Sequence, residues 1–298
     1  MNFIKNLFQR KPKVDKVDLS RRFELIGRVG QGSMSKVWRA RDVISGKMVA
    51  LKVLDRAKLA RLERRFLGLT RPPEGEMALG LRHPNVVRTL ECGITMNDEQ
   101  YLVMEFIEGV GLSFLVDRQN ERMKKNCLWY AVQLGEGLDY LHRRNWIHRD
   151  LCPRNIIIAD NDQLKVIDFG LMVPNTEAFR APGNRTGTAN YMAPELIKRQ
   201  PTDERIDIFS YAVTVFEMFS NQLPWKAQNN DSFESVVQHI NTPPKELKKF
   251  VPDIDDQIAL AVMKGLEREP RNRWPSARKM VDELEAAGRR LKLLPEET

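Results

Sequence analysis

Cysteine is scarce in this 298-residue chain: Cys92, Cys127 and Cys152 are its only three, far apart, with no CxxC pair and no Cys/His cluster at metal-ligand spacing. That distribution argues against a disulfide scaffold or a structural metal site. It fits a reducing compartment, so a cytoplasmic location is expected. Long apolar runs are also missing. The stretch YAVTVFEMF at 211–219 already carries Glu217, and a membrane-spanning helix needs roughly 18 apolar residues. No internal repeat and no low-complexity tract breaks the text.

What is present is a globular composition, 42% apolar and 30% charged. A chain of this length lies near the point where single cores give way to two domains or lobes. The 48 basic and 40 acidic residues leave a formal charge of +8. So modest an excess can favour acidic partners, but a solvated basic surface produces it equally, and no nucleic-acid partner is expected. The amino-terminal MNFIKNLFQRKPK puts Phe3, Ile4, Leu7 and Phe8 on one helical face, followed by Arg10, Lys11 and Lys13. It is too short and interrupted for a secretory signal. Peripheral contact with an anionic membrane through this tail, residues 1–22, is one expectation; a frayed or self-docked terminus is the other.

The pattern changes along the chain. FELIGRV, SKVWRARD, KMVALKVL, VVRTLECGI and QYLVMEFI read as short strands between Phe23 and about Phe106, with DVISG as a hairpin connection. The charged segment from Asp55 to Arg82 is broken by Pro72 and Pro73, and its second piece predicts a short helix starting near Pro73 or Glu74 and packing on the sheet. After Gly109 the helical period takes over, in LWYAVQLGEGLDYLHRR (128–144), DIFSYAVTVFEMFS (207–220), DDQIALAVMKGLE (255–267) and SARKMVDELEAAGRR (276–290).

Four stretches carry chemistry. In GQGSMSKV (30–37), glycines let a backbone approach a phosphate and Val37 can cover a flat base, although a plain glycine-rich turn has the same text. In VALK (49–52), a lysine on an apolar strand needs an anion, and nucleotide phosphates and a helix carboxylate would provide two. Glu74 is the first choice for that carboxylate and Glu76 the second, with a solvated helix acid as the alternative. In HRDLCPRN (148–155) and DFG (168–170), Asp150, Asn155 and Asp168 offer a proton acceptor for a hydroxyl nucleophile and oxygen ligands for Mg²⁺, though each alone could be a turn or cap residue. The fourth is GTANYMAPE (187–195), with Arg273 following in PRNRWPSA.

In this order the set resembles the eukaryotic-type protein kinase family over about residues 23–288. The resemblance implies an α+β, two-lobed fold: a small antiparallel β lobe with one main helix at about 23–106, a hinge at about 105–109, a larger helical lobe at about 110–288, and a tail at 289–298. MgATP, or its Mn²⁺ complex, would bind in the cleft. Position by position, Lys52 corresponds to the lysine on the α- and β-phosphates, Glu74 to its carboxylate, Asp150 to the catalytic base, and Asn155 and Asp168 to the metal ligands. The nucleotide would contact Val29, Gly30, Gln31, Gly32, Ser33, Met34, Ser35, Lys36 and Val37, with Ala50 and Ile157 around the base and Glu105 and Ile107 at the hinge after Met104. Glu195 and Arg273 resemble a buried structural ion pair, and Asp207 the acid that steadies the HRD segment.

Two residues depart from the family pattern. Ser35 stands where the third glycine of the loop is expected. Cys152 stands where a lysine would neutralise charge on the transferred phosphoryl group, and Arg154, at the matching place in an HRDLxxRN arrangement, carries the cation instead. Thr188 in GTANYMAPE points to serine or threonine acceptors, whereas the HRDLxxRN form resembles the tyrosine branch. A kinase acting on protein substrates, itself included, is therefore expected; a catalytically impaired scaffold and a small-molecule kinase are the alternatives. Thr176 and Thr186, the only hydroxyl residues between Asp168 and Gly187, are the candidate phosphosites, with Arg149 as the cation a phosphate there would meet.

Overall fold

Strand register decides which side chains of the first half of the chain are available for chemistry. The computed structural model describes residues 16–31, 35–66, 68–183, 185–225 and 232–295. The chain divides into two compact units, one of residues up to Leu62 together with Thr89–Phe106, the other of Glu63–Arg88 together with Ile107 onward. The membrane-contact expectation falls largely on residues 1–15, and that for Gly32, Ser33 and Met34 wholly on residues, outside the described ones.

The first unit is a six-stranded sheet of β1 (Lys16–Val17), β2 (Phe23–Gln31), β3 (Ser35–Asp42), β4 (Met48–Leu54), β5 (Thr89–Thr95) and β6 (Gln100–Glu105), in the order β1-β5-β6-β4-β3-β2. Every pairing is antiparallel except that of β1 with β5, where Lys16 faces Ile94 and Val17 faces Thr95. Because alternate strand residues point to opposite faces, Val49, Leu51 and Val53 of β4 enter a core with Phe23, Ala40, Tyr101 and Val103, joined by Val17 and Leu19. Lys52 and Ala50 take the other face. Val17 and Leu19 draw part of the segment that composition assigned to the tail into the sheet, with Leu19–Arg22 forming α1.

Side-chain bonds fix the corners of this unit. DVISG is a turn: Asp42 accepts from the Ile44 amide at 3.0 Å and the Ser45 hydroxyl at 3.1 Å, and Gly46 has φ +71°. Arg22 donates to both Glu91 carboxylate oxygens at 2.7 Å and to Asp42 at 3.3 Å, and the Tyr101 hydroxyl donates to Glu91 at 2.7 Å. The end of α1 is thus tied to β3 and β5. Helix α2 (Arg56–Glu63) follows β4, its Asp55 accepting from the Lys58 amide at 3.0 Å.

The second unit holds α3 (Glu74–Leu79), α4 (Leu112–Arg118), α5 (Glu121–Arg143), α6 (Glu177–Arg180), α7 (Pro194–Ile197), α8 (Arg205–Ser220), α9 (Ser232–Asn241), α10 (Asp256–Gly265) and α11 (Ala277–Leu291). It also carries β7 (Gly109–Gly111), β8 (Trp146–Ile147), β9 (Ile156–Ala159), β10 (Leu164–Val166) and β11 (Val173–Pro174), paired as β10-β9-β7 and β11-β8. Helix α5 starts well before Leu128, because the Asn120 side chain accepts from the Met123 amide at 2.9 Å while the first turns, ERMKKN, are too polar to show an apolar period. Helix α8 is apolar nearly all round and buried from Ile206 to Phe216, which makes it the centre of the unit.

One ion pair anchors α7 to the start of α8. Arg273 and Glu195, with side chains 0% and 5% exposed, meet at 2.6 and 2.7 Å. The remaining Arg273 donors reach the carbonyls of Glu267, Arg205 and Arg268 at 2.7 to 3.0 Å. Removing one member strands the other charge in a medium that cannot solvate it. Arg273→Ala is therefore expected to cost about 3–5 kcal/mol of unfolding free energy in urea titrations.

Candidate active site

The segment His148–Asn155 links β8 to β9, and its shape is imposed by Asp207 in the first turn of α8. Asp207 is fully buried; its carboxylate accepts from the amides of His148 at 2.7 Å and Arg149 at 2.8 Å, and contacts His142 Nε2 at 3.0 Å. Burial works to raise its pKa, but the bonds and charge of His142 and the His148 contributions outweigh it and hold the carboxyl below the usual value. These bonds offset the strain of Arg149, which sits at φ +69°, a region costly for a residue with a Cβ. Burial also draws the Arg149 guanidinium down to about 10.

With the backbone turned there, Asp150 points into a small polar group. Its Oδ1 accepts from both the amide and the hydroxyl of Thr188 at 2.7 Å. Asn155 Nδ2 donates to the Asp150 carbonyl at 2.8 Å and to Oδ2 at 3.1 Å. Gly187 makes this approach possible: it has φ +134°, and a Cβ on it would lie 2.7 Å from the Arg149 carbonyl oxygen. Burial and the like charge of Asp168 raise the Asp150 pKa against the opposing bond from Thr188.

Cys152 and Arg154 lie on opposite sides of the solvent boundary. Cys152 is 1% exposed, its sulfur 3.9 Å from the Thr188 hydroxyl, and burial with the Asp150 charge pushes its thiol up to about 11. Arg154 lies in the 3₁₀ turn Pro153–Asn155 and is exposed; its backbone amide bonds toward the Cys152 thiol, whereas its guanidinium makes no hydrogen bond or ion pair among the described residues. Its charge reaches Cys152 and the buried pair in which the Tyr191 hydroxyl donates to Glu217 at 2.5 Å.

Asp168 follows β10, with its Oδ1 accepting from the Gly170 amide at 2.9 Å; Phe169 is buried edge-on to His148, ring centroids 5.9 Å apart. The Asn155 carbonyl accepts from the Ile167 amide at 3.0 Å, which joins this strand end to the His148–Asn155 segment. The donor set suits a hard cation. Asn155 spends its amide nitrogen on Asp150, leaving its side-chain oxygen as an acceptor, and Asp168 adds a carboxylate whose charge Asp150 feels. Among the described residues no group of three His, Cys, Asp or Glu could hold a metal. A cation here would therefore rest on one carboxylate, one amide oxygen, water and phosphate oxygens, as Mg²⁺ commonly does.

In the first unit, register sets Lys52 opposite Val37 and Leu102, and Ala50 opposite Arg39 and Met104, all on the face away from the core. Lys52 is 3% exposed. Ser35 is buried at the start of β3, Lys36 is exposed, Val29 is 53% exposed, and the backbones of Gly30 and Gln31 pair with Val37 and Lys36. Glu105 is half-buried, opposite Val49. Glu74, Ile107 and Ile157 belong to the second unit: Glu74 is 3% exposed in the first turn of α3, Ile107 is half-buried, and Ile157 pairs with Gly111 and Lys165. Thr176 is exposed ahead of α6, whereas Thr186 is 2% exposed.

Sequence reading alone missed His142, which reaches Asp207 from the end of α5, and the Tyr191–Glu217 pair. Tyr191 lies inside GTANYMAPE and Glu217 inside an apolar helix, so an acid in such a helix was the available signal.

Residues 23–284 match the family described as protein kinase domain. This chain belongs to the protein kinase domain family. It is 32% identical over 274 residues to a probable serine/threonine-protein kinase of Clostridium perfringens, covering 90% of this chain and 38% of that protein. A probable serine/threonine-protein kinase of Streptomyces coelicolor is 32% identical over 278 residues, covering 90% and 40%. Serine/threonine-protein kinase PknB of Mycolicibacterium smegmatis is 31% identical over 277 residues, covering 89% and 43%. The chain thus spans well under half the length of these curated relatives. Among the described residues no helix is long and apolar enough to cross a membrane.

The buried, protonated thiol of Cys152 should be chemically quiet. Alkylation of the native protein by iodoacetamide at pH 8 is expected to label Cys152 at least about tenfold more slowly than a free cysteine, with full labelling after denaturation. Peptide mapping by mass spectrometry reads the difference.

Proposed function

We propose that this chain is an active protein kinase that transfers the γ-phosphoryl group of ATP to serine or threonine hydroxyls of proteins, including its own. The observation that carries the reading is the Asp150 carboxylate: it is held by Asn155 and Thr188 beside Asp168, in a segment whose backbone is fixed by Asp207. The names of the similar proteins, all serine/threonine-protein kinases, point the same way.

The roles follow from the chemistry. The acceptor hydroxyl takes the place beside Asp150 that the Thr188 hydroxyl marks, and its proton passes to the carboxylate as its oxygen bonds to Pγ. The bond between Pγ and the β,γ-bridging oxygen breaks, and ADP leaves. On this reading Lys52 takes the α- and β-phosphates, Val37 and Ala50 cover the base, and the backbone of Glu105 reads its edge. Asn155 and Asp168 would hold Mg²⁺, or Mn²⁺ in its place, which would supply charge neutralisation at the phosphate oxygens. A neutral thiol at Cys152 offers no charge to the transferred group, and Arg154 supplies it. Thr176, on the surface, is the better placed of the two candidate phosphosites.

Incubation of the purified chain with γ-labelled ATP, Mg²⁺ and a mixed protein substrate tests the reading. Asp168→Ala is expected to lower transfer at least about a hundredfold with the circular dichroism spectrum retained. Near wild-type transfer by that folded variant would overturn the assignment. Arg154→Ala should lower turnover by about two to three orders of magnitude with a smaller change in ATP affinity, while Cys152→Ala stays nearly silent. A silent Arg154→Ala beside a crippled Cys152→Ala sinks the compensation.

A further inference from the structure

The stretch between α2 and α3 contains a buried cation that the reaction above does not use. Arg71 is 7% exposed, and burial draws its guanidinium below the ordinary arginine value against the opposing fields of Glu74, Glu63 and Asp168. Its Nη1 donates to the carbonyl of Met172 at 3.2 Å, and its Nε is buried without a hydrogen-bond partner. An apolar side chain of similar size would fill such a place at less cost in desolvation. The position therefore depends on the donated bond and the charge.

The carbonyl that Arg71 holds is linked to Asp168 by short steps. The Met172 amide donates back to the Phe169 carbonyl at 3.1 Å, closing a turn, and the Gly170 amide inside that turn donates to Asp168 Oδ1 at 2.9 Å. A second contact, sharing no residue with the first, braces the same two segments. Phe66, 5% exposed, meets Phe179 of α6 edge-on, with ring centroids 6.0 Å apart.

We propose that Arg71 is a positioning residue, a strut that fixes the turn after Asp168 against the lead-in to α3, so that the Asp168 carboxylate and Glu74 are set by one guanidinium. The consequence for metal use rests on the kinase reading; the mechanical coupling does not.

Two readouts on the full chain separate these. Hydrogen–deuterium exchange of the apo protein is expected to show Arg71→Met raising exchange in peptides spanning 169–180 by about tenfold or more, with α8 and α11 unchanged. The Mg²⁺ concentration for half-maximal transfer should rise by about the same factor, while ADP affinity in EDTA stays within about twofold and Arg71→Lys recovers part of the loss. Phe179→Ala loosens the same peptides through the other contact, so the coupling is still read if Arg71→Met fails to fold. Unchanged exchange across 169–180 in the folded variants overturns the strut. Raised exchange with an unaltered Mg²⁺ requirement overturns its role in placing Asp168. A wild-type chain that transfers no phosphate at any Mg²⁺ concentration defeats the kinase reading instead, and the exchange result still decides the strut.

Discussion

The carboxylate of Asp207 is the constraint on which the candidate site depends. It lies fully inside the second unit, where an isolated charge is costly, and it is tolerated because two backbone amides and an imidazole converge on it. Those amides belong to His148 and Arg149, so the acid that needs them also bends the chain through the left-handed conformation at Arg149. The orientation of Asp150 follows from that bend. Its place in the first turn of α8 adds the favourable end of the helix dipole, and α8 is buried from Ile206 to Phe216. The His148–Asn155 turn is thereby mounted on a buried helix.

Two carboxylates in one neighbourhood are driven in opposite directions. Asp207 collects donors and is held ionised, whereas Asp150, although it accepts from Thr188 and Asn155, is moved upward by desolvation and by the like charge of Asp168. Asp207 is fully buried and Asp150 half-buried, yet it is the more buried acid that moves downward, so burial alone does not set the direction. The difference lies in what surrounds each oxygen. The same logic separates Cys152 from Arg154, neighbours in a short turn, one shielded and neutral, the other in water and charged.

Much of this was legible in the text. The strands of the first unit and the helices after Gly109 carry clean periods, and HRDLCPRN, DFG and GTANYMAPE announce a site because chemically unusual residues recur in order. Lys52 could be assigned to a face because its neighbours on β4 are apolar. Other features were hidden for physical reasons. The beginning of α5 is set by a cap and a polar turn rather than by an apolar stripe. Strand β1 has only two residues, too few for a period. Arg71 stands in RRFLGLTRPPEGE among other charges, and only its burial distinguishes it. That Gly187 admits the Arg149 carbonyl is a fact about distance, which spacing along a chain cannot encode.

The pairing of Lys16–Val17 with β5 has a practical side. The family match begins at Phe23, and a fragment cut there would strip β1 from the border of the sheet, leaving the outer amides and carbonyls of β5 open. It would also remove Arg22, and with it the bidentate partner of Glu91 and the clamp on Asp42. An uncovered strand border is a template for another chain. Self-association of such a truncated fragment would report the cut and not the protein, so residues 16–22 mark where a working recombinant boundary has to begin.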